Sequence, residues 1–572
     1  MTVSRCTFGG AISRALLAGT VALTAAGMTS AVSADSAKEW TIYGGDYANT
    51  RYSALDQINT GNVKDLKVSW IHSLGSTHSQ ETTPLVIGDR MYLSTSAGPA
   101  YVFALNAATG EMIWSHEPEM PSDYQSSVCC GLASRGLAYA DGRLFMGRLD
   151  GELVALDAES GKQLWQTTVG EYKDGFSLTS PPLIVKDMVI TGLSGGEYGV
   201  RGSLQAYDQQ TGELRWRTYS IPGPGEPGNE TWKGDSWKTG GGAPWYVGSY
   251  DPKLDLIYYG TSNAAPWGGH TRGNDSSNIG QYLNLYTASQ LALHPDDGKI
   301  VWSYQMTPSD VWDYDGVNEG VLVDLKISNQ EVPALVKADR NGFFYVLNRT
   351  NGQLISAEPY VKVNWAERVD RETGRPVENP EFRPQLDKWA RNICPNLFGG
   401  KNWPPMSYSK QSGLVYIPTF NLCMSLVNRE QEFVKGSFYL AQEFDLGIAG
   451  EGDYLGQLKA WDPVTQKQVW GIKEDLPFVG GVLSTAGGLV FYGNAHGIVK
   501  GVDANSGEVL WNFNAGSGVN QGPVTYEIDG KQYLAVVSGR LVGPPSFAGE
   551  IGERVMAATP PGGNVLVFEL GG

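Results

Sequence analysis

ALDAESGKQLW (155–165) is the stretch on which the fold turns, because the chain repeats it. It reads ALNAATGEMIW at 104–114, AYDQQTGELRW at 206–216 and ALHPDDGKIVW at 292–302. It returns as AWDPVTQKQVW (460–470) and GVDANSGEVLW (501–511). VLNRTNGQLIS (346–356) is a weaker copy that ends in Ser356, and NTGNVKDLKVSW (59–70) reads as a degenerate first copy. Ahead of each turn, apolar and polar residues alternate as in a half-buried strand. The Asp or Asn that follows makes the turn with a Gly able to take positive φ. The next strand carries a Trp at a fixed offset, where a flat indole can wedge between neighbouring sheets. A four-stranded blade cannot bury both faces alone, so neighbours must stack. Eight such units predict an all-β chain folded as an eight-bladed β-propeller, with blades docked through their tryptophans.

Composition agrees with one large all-β domain over 35–572. Gly (73), Tyr (28) and Trp (17) are abundant and only 18% of residues are charged, which suits many tight turns. Amphipathic helix patterns are scarce, so helix is expected mainly in short insertions. Residues 1–34 read as a cleaved export signal: Arg5 and Arg14, an apolar run Ala15–Met28, then small residues ending at Ala34. That run is short for a membrane span, and the mature chain is expected in the periplasm. Losing Arg5 and Arg14 takes the formal charge from −17 to −19. Such a surface argues against nucleic acid and is compatible with a basic protein partner.

Cys6 leaves with the leader. Cys129, Cys130, Cys394 and Cys423 remain, an even number in an oxidising compartment. Three pairings are open, and one joins the adjacent residues to each other. No CxxCH occurs, so nothing marks a covalently attached haem.

Four further motifs carry a resemblance. They are Cys129-Cys130-Gly131, SGGEYGVRG (194–202), YGTSNAAPW (259–267) and Trp312-Asp313-Tyr314-Asp315-Gly316. Together, inside the Trp repeat, they resemble the pyrroloquinoline quinone (PQQ) dependent alcohol dehydrogenases, the quinoprotein superbarrels of the methanol and ethanol dehydrogenase group. The resemblance covers nearly the whole mature chain. It implies a vicinal disulfide between Cys129 and Cys130 on one face of the cofactor, Trp245 on the other, and a second disulfide between Cys394 and Cys423. Adjacent Cα atoms lie about 3.8 Å apart, closer than is usual for a disulfide. The resemblance implies a polar rim for PQQ from Glu81, Arg135, Thr179, Ser194, Gly195, Gly196 and Asn402, with Arg340 at the quinone oxygens. The planar fork of Arg suits carboxylates.

The same resemblance makes Glu197, Asn263 and Asp313 the metal ligands, with Asp313 also the general base. All offer oxygen to a hard cation. Asp315 adds a further carboxylate, and on an extended segment residues two apart face the same side. An Asp there marks the lanthanide-dependent branch of the family. Three carboxylates balance a trivalent ion, whereas Ca2+ would leave the site more anionic, and unpaired buried charge is costly. The implied reaction is oxidation of a primary alcohol to an aldehyde by metal-assisted hydride transfer to PQQ, with electrons passing to a soluble c-type cytochrome. A homodimer is compatible with the sequence.

Two positions depart from the methanol dehydrogenase pattern: Ala243 stands in place of Thr, and Val479 in place of Trp. The segments around Cys394 and Trp403-Pro404-Pro405 look closer to the ethanol-type branch. The alternatives are a calcium-dependent enzyme of the same family, a sugar or polyol quinoprotein, and a non-catalytic eight-bladed scaffold. The adjacent cysteines and the carboxylates distinguish the chain from the last two.

Overall fold

The repeated turn folds as its chemistry dictates. Asn106 Oδ1 accepts from the backbone amides of Ala108 and Thr109, both at 3.0 Å. Asp157 Oδ1 accepts from the Ser160 amide at 2.8 Å, and Asp208, Asp462 and Asp503 serve their own turns in the same way. The side chain thus satisfies amides that the tight turn leaves open. Gly161 closes the second of these turns at φ +70°, and a Cβ there would stand 2.5 Å from the Trp114 ring. Glycine is required by both the backbone and its neighbour.

The computed structural model describes residues 38–95, 101–274 and 280–571. The leader expected over 1–34 lies outside them. Among the described residues, seven four-stranded sheets and one five-stranded sheet follow one another along the chain, with two smaller sheets inserted. Within each four-stranded sheet the strands are antiparallel neighbours. Leu183–Val185, Met188–Gly192, Ser203–Asp208 and Leu214–Tyr219 form one in sequence order. Inner strands are buried on both faces, as in Leu256–Gly260, while outer strands such as Leu214–Tyr219 are largely exposed. The apolar clusters lie between sheets: Ile190, Leu204 and Ala206 of one pack with Ile257, Leu291 and Leu293 of the next. This is the stacked-sheet plan of a β-propeller.

The tryptophans mark the seams. The indole Nε1 of Trp70, Trp114, Trp165, Trp216, Trp302 and Trp470 donates to Ala107, Ala158, Gln209, Pro295, Arg349 and Ala504 carbonyls, each in the following copy's turn. At every one of these seams the ring lies against that turn's glycine. Trp511 instead meets Phe568 edge-on at 5.2 Å.

The first copy is corrected by the structure. Leu66–Ser73 has no strand–turn–strand unit of its own; it pairs antiparallel with Gly563–Leu570 and so completes the C-terminal sheet. An early strand and the last strand therefore share one sheet, which ties the beginning of the sheet series to its end. Helix is confined as expected: the one α-helix among the described residues is Gly549–Ala558, between strands of that closing sheet. No helix among them is long and apolar enough to cross a membrane.

Candidate functional site

The functional side chains sit on irregular connections between strands, most leaving inner strands and the Asp313–Asp315 loop leaving an outer one. Glu197 lies in the single turn Gly196–Tyr198, entered through Gly195 at φ +121°. A Cβ on Gly195 would meet the Gly175 carbonyl oxygen at 2.2 Å, so only glycine lets this loop close. Asn263 follows the strand Leu256–Gly260, Asp313 and Asp315 follow Ile300–Gln305, and Arg340 follows Gln330–Ala338.

Asp315 is the hub. Its Oδ1 accepts from the Asn263 amide at 2.7 Å and its Oδ2 from Trp245 Nε1 at 2.9 Å. Arg340 reaches Asp315 Oδ2 at 3.0 Å and Asp313 Oδ2 at 3.6 Å. The segment is not extended, contrary to the sequence reading. Asp313 adopts φ +60°, a region costly for a side-chain-bearing residue and concentrated at functional sites. Both acids nonetheless face the same guanidinium.

A second half of the network joins through the Trp245 ring. Arg340 lies 5.6 Å from its centroid and Arg135 lies 5.0 Å away. Arg135 pairs with Glu81 at 3.0 Å and donates to the Thr179 carbonyl. Thr179 Oγ1 meets Ser194 Oγ at 3.1 Å. Asn402 Oδ1 accepts from Arg340 at 3.5 Å, and a Cβ on Gly196 would lie 3.9 Å from Asn263 Oδ1. Glu81, Arg135, Thr179, Ser194 and Asn402 thus gather around Trp245 and Arg340, with Gly195 and Gly196 next to Ser194 in the chain.

The cysteine pairing is resolved: Cys129 bonds Cys130 and Cys394 bonds Cys423. Cys129 and Trp245 border the same apolar cluster, which includes Ala243. Gly543 packs directly on the Cys130 carbonyl, where a Cβ would stand 1.8 Å from the oxygen.

The electrostatics are lopsided. Burial, then the Asp315 charge, pushes the Glu197 carboxyl up to about 7. Burial, then Asp315, raises Asp313 well above the carboxylate range, with Arg340 opposing. Asp313 Oδ1 and Asn263 Oδ1 are buried acceptors without a hydrogen-bond donor. Such groups are costly in a protein interior, and a cation satisfies them directly. Among the described residues no three His, Cys, Asp or Glu side chains form a ready ion cage; Asp315 is turned onto Trp245 and Arg340. The donor set still fits a hard cation in kind: oxygen atoms alone, with more negative charge than Arg340 neutralises.

Several neighbours escaped the sequence reading. Trp403 receives Arg135 on its ring at 4.9 Å, and Ser180 donates to the Trp245 carbonyl at 2.9 Å. Val479, where an indole was the family expectation, is fully buried between sheets with Ala460 and Tyr492. Its neighbour Phe478, at φ +63°, turns toward Phe398 and Phe420 instead. Phe478 lines a pocket with Asn402, Trp403 and Leu541.

Comparison with known proteins gives the family of the chain. The PQQ glucose/ethanol/alcohol dehydrogenase β-propeller domain matches residues 40–377 and 452–534. The chain is 42% identical to the lanthanide-dependent methanol dehydrogenase of Methylacidiphilum fumariolicum, over 93% of this chain and 92% of that protein. It is 41% identical to the quinoprotein alcohol dehydrogenase PedH of Pseudomonas putida, over 91% of this chain and 89% of that one. Among solved structures it is similar to a europium-containing methanol dehydrogenase, with a TM-score of 0.88 and 41% identity over 93% and 98% of the two chains.

Proposed function

The chain belongs to the PQQ-dependent glucose/ethanol/alcohol dehydrogenase β-propeller family, and from that premise we propose a lanthanide-assisted oxidation of primary alcohols to aldehydes. Membership makes it a quinoprotein alcohol dehydrogenase. The finer reading rests on one observation: Asp313 and Asp315 share a single arginine, with the charge of Glu197 close by, on the wall that also holds Trp245, and the Cys129–Cys130 disulfide borders the same apolar cluster as that indole.

We assign PQQ to the space between Cys129–Cys130 and Trp245, rimmed by Glu81, Arg135, Thr179, Ser194, Gly195, Gly196 and Asn402. Glu197, Asn263, Asp313 and Asp315 would hold the ion. When bound, the cofactor supplies the hydride acceptor and the ion the Lewis acid that sharpens it. Asp313 takes the hydroxyl proton of the alcohol as general base. Arg340 fixes the Asp313 carboxylate and offers N–H donors where negative charge develops. Burial of the wall excludes bulk water and strengthens both interactions. The ring is read as eight blades locked by Trp docking. Export to the periplasm and one-electron transfer to a c-type cytochrome complete the proposal.

A calcium-loaded form is the second reading, and one observation favours it. Asp315 is already engaged by Arg340, Trp245 and the Asn263 amide, which lowers the charge left for an ion. Reconstitution decides between them: metal-free protein with PQQ plus La3+ or Ca2+, assayed with a dye acceptor on alcohols from methanol to hexanol. Activity with La3+ supports the first reading, a response to Ca2+ alone supports the second, and PQQ-independent activity overturns both.

A further inference from the structure

Lys337 is fully buried and has no part in the site described above. Its Nζ donates to the carbonyls of Gly316 and Asn318, both at 2.5 Å, and to Gln290 Oε1 at 3.2 Å. All three donors of the ammonium are thus used. Gly316 and Asn318 lie one and three residues after Asp315. Three residues on from Lys337, Arg340 reaches the carboxylates of Asp313 and Asp315 from the same chain segment. The segment therefore grips the acid-bearing loop at two points, by its backbone through Lys337 and by its side chains through Arg340.

The grip extends to a second lysine. Lys401 Nζ pairs with Glu319 at 2.7 Å and donates to the Asn402 carbonyl at 2.9 Å. Asn318 Nδ2 donates to the Ala338 carbonyl at 2.8 Å and to the Lys401 carbonyl. Without Lys337, two carbonyls at the root of the acid loop lose a charged donor in a dry interior. The loop holds Asp313 in a left-handed conformation, which persists only where its surroundings over-determine it.

We propose that Lys337 is a positioning residue of the reaction: it holds the Asp313–Asp315 loop in the register at which both acids face Arg340 and the ion. This rests on the ion-binding reading above. Lys337 touches neither acid and acts through the backbone.

The test uses full-length metal-free protein, with terbium affinity read from sensitised luminescence and steady-state kinetics after loading with PQQ and lanthanide. K337M is predicted to weaken terbium binding and lower kcat by about 10- to 100-fold, as for lost outer partners of metal ligands, with the alcohol KM nearly unchanged. Q290M, which removes one acceptor of Lys337, shifts both quantities in the same direction by about two- to threefold. A folded K337M protein with wild-type terbium affinity and kcat overturns the proposal. If K337M does not fold, Q290M decides: the shift supports the proposal and unchanged values overturn it. Wild-type protein that binds no terbium would instead overturn the ion-binding reading.

Discussion

Two buried acid clusters share the loop between Asp313 and Glu319, and they are balanced in opposite ways. In the first, Glu319 and Asp339 lie with Lys337 and Lys401: Lys401 pairs with Glu319, and the Met406 amide takes the other Glu319 oxygen. Burial raises the Asp339 carboxyl while the Lys337 charge opposes it. In the second, Glu197, Asp313 and Asp315 have one arginine among them, and two oxygens at the site lack donors. Two lysines match the two acids of the first cluster, although Asp339 Oδ2 there also lacks a donor. The second is left short of positive charge, which is the condition for binding a cation and not for holding a fold together.

The largest effect that separates them is on turnover. Asp313→Asn should cut kcat by about 10²- to 10⁴-fold, the range of a lost general base, while the thermal midpoint stays near wild type. Normal kcat in that variant removes Asp313 from the chemistry. Glu319→Gln addresses the balanced cluster and should act on stability instead. It leaves Lys401 buried with a carbonyl as its partner, at about 3–5 kcal/mol, measurable by urea unfolding of the metal-free protein. A negligible loss would show that the two clusters do not differ as described. Asp315→Ala should weaken lanthanide binding by about tenfold or more and calcium binding less, since affinity follows ligand charge; competition titration with terbium reads both. Equal losses would remove the selectivity argument.

The smallest effect is a gain. Glu197 has its proton affinity raised from 4.5 to about 7, so between those values the folded metal-free protein holds a proton that the unfolded chain releases. Stability therefore falls as pH rises through this window, and the deficit is complete above it. Glu197→Gln should stabilise the metal-free protein at pH 8 by on the order of 1 kcal/mol and leave it unchanged below pH 4.5. A loss at pH 8 contradicts the charge deficit.

Much of this was legible because the residues are chemically conspicuous. The Trp repeat exposes its period, and the adjacent cysteines and the Asp313–Asp315 pair stand out as local strings. What sequence did not reveal is which irregularities face each other. Ser356 replaces the seam tryptophan in one copy, and Gln466 replaces the turn glycine in the next. In the fold these two meet: Gln466 holds φ +57° and its Nε2 donates to Ser356 Oγ at 2.8 Å. With no indole facing it, the turn has room for the longer side chain, although its backbone stays left-handed. Lys337 and Glu319 stayed invisible for the opposite reason. A lysine in a strand and a glutamate in a loop carry no pattern until burial fixes their partners. The left-handed backbone at Asp313 was missed because sequence alternation assumes an extended chain, and the loop is held otherwise by contacts distant in sequence.

On the proposed function, the underbalanced carboxylates bind a cation beside a flat cofactor. Anomalous diffraction from crystals of the protein loaded with PQQ and a lanthanide tests it most directly. One strong peak is expected about 2.5 Å from oxygens of Glu197, Asn263, Asp313 and Asp315, with planar density between Cys129–Cys130 and Trp245. A peak confined to surface acids, with Asp315 still bonded to Arg340 and Trp245 and no planar density above the indole, would contradict it.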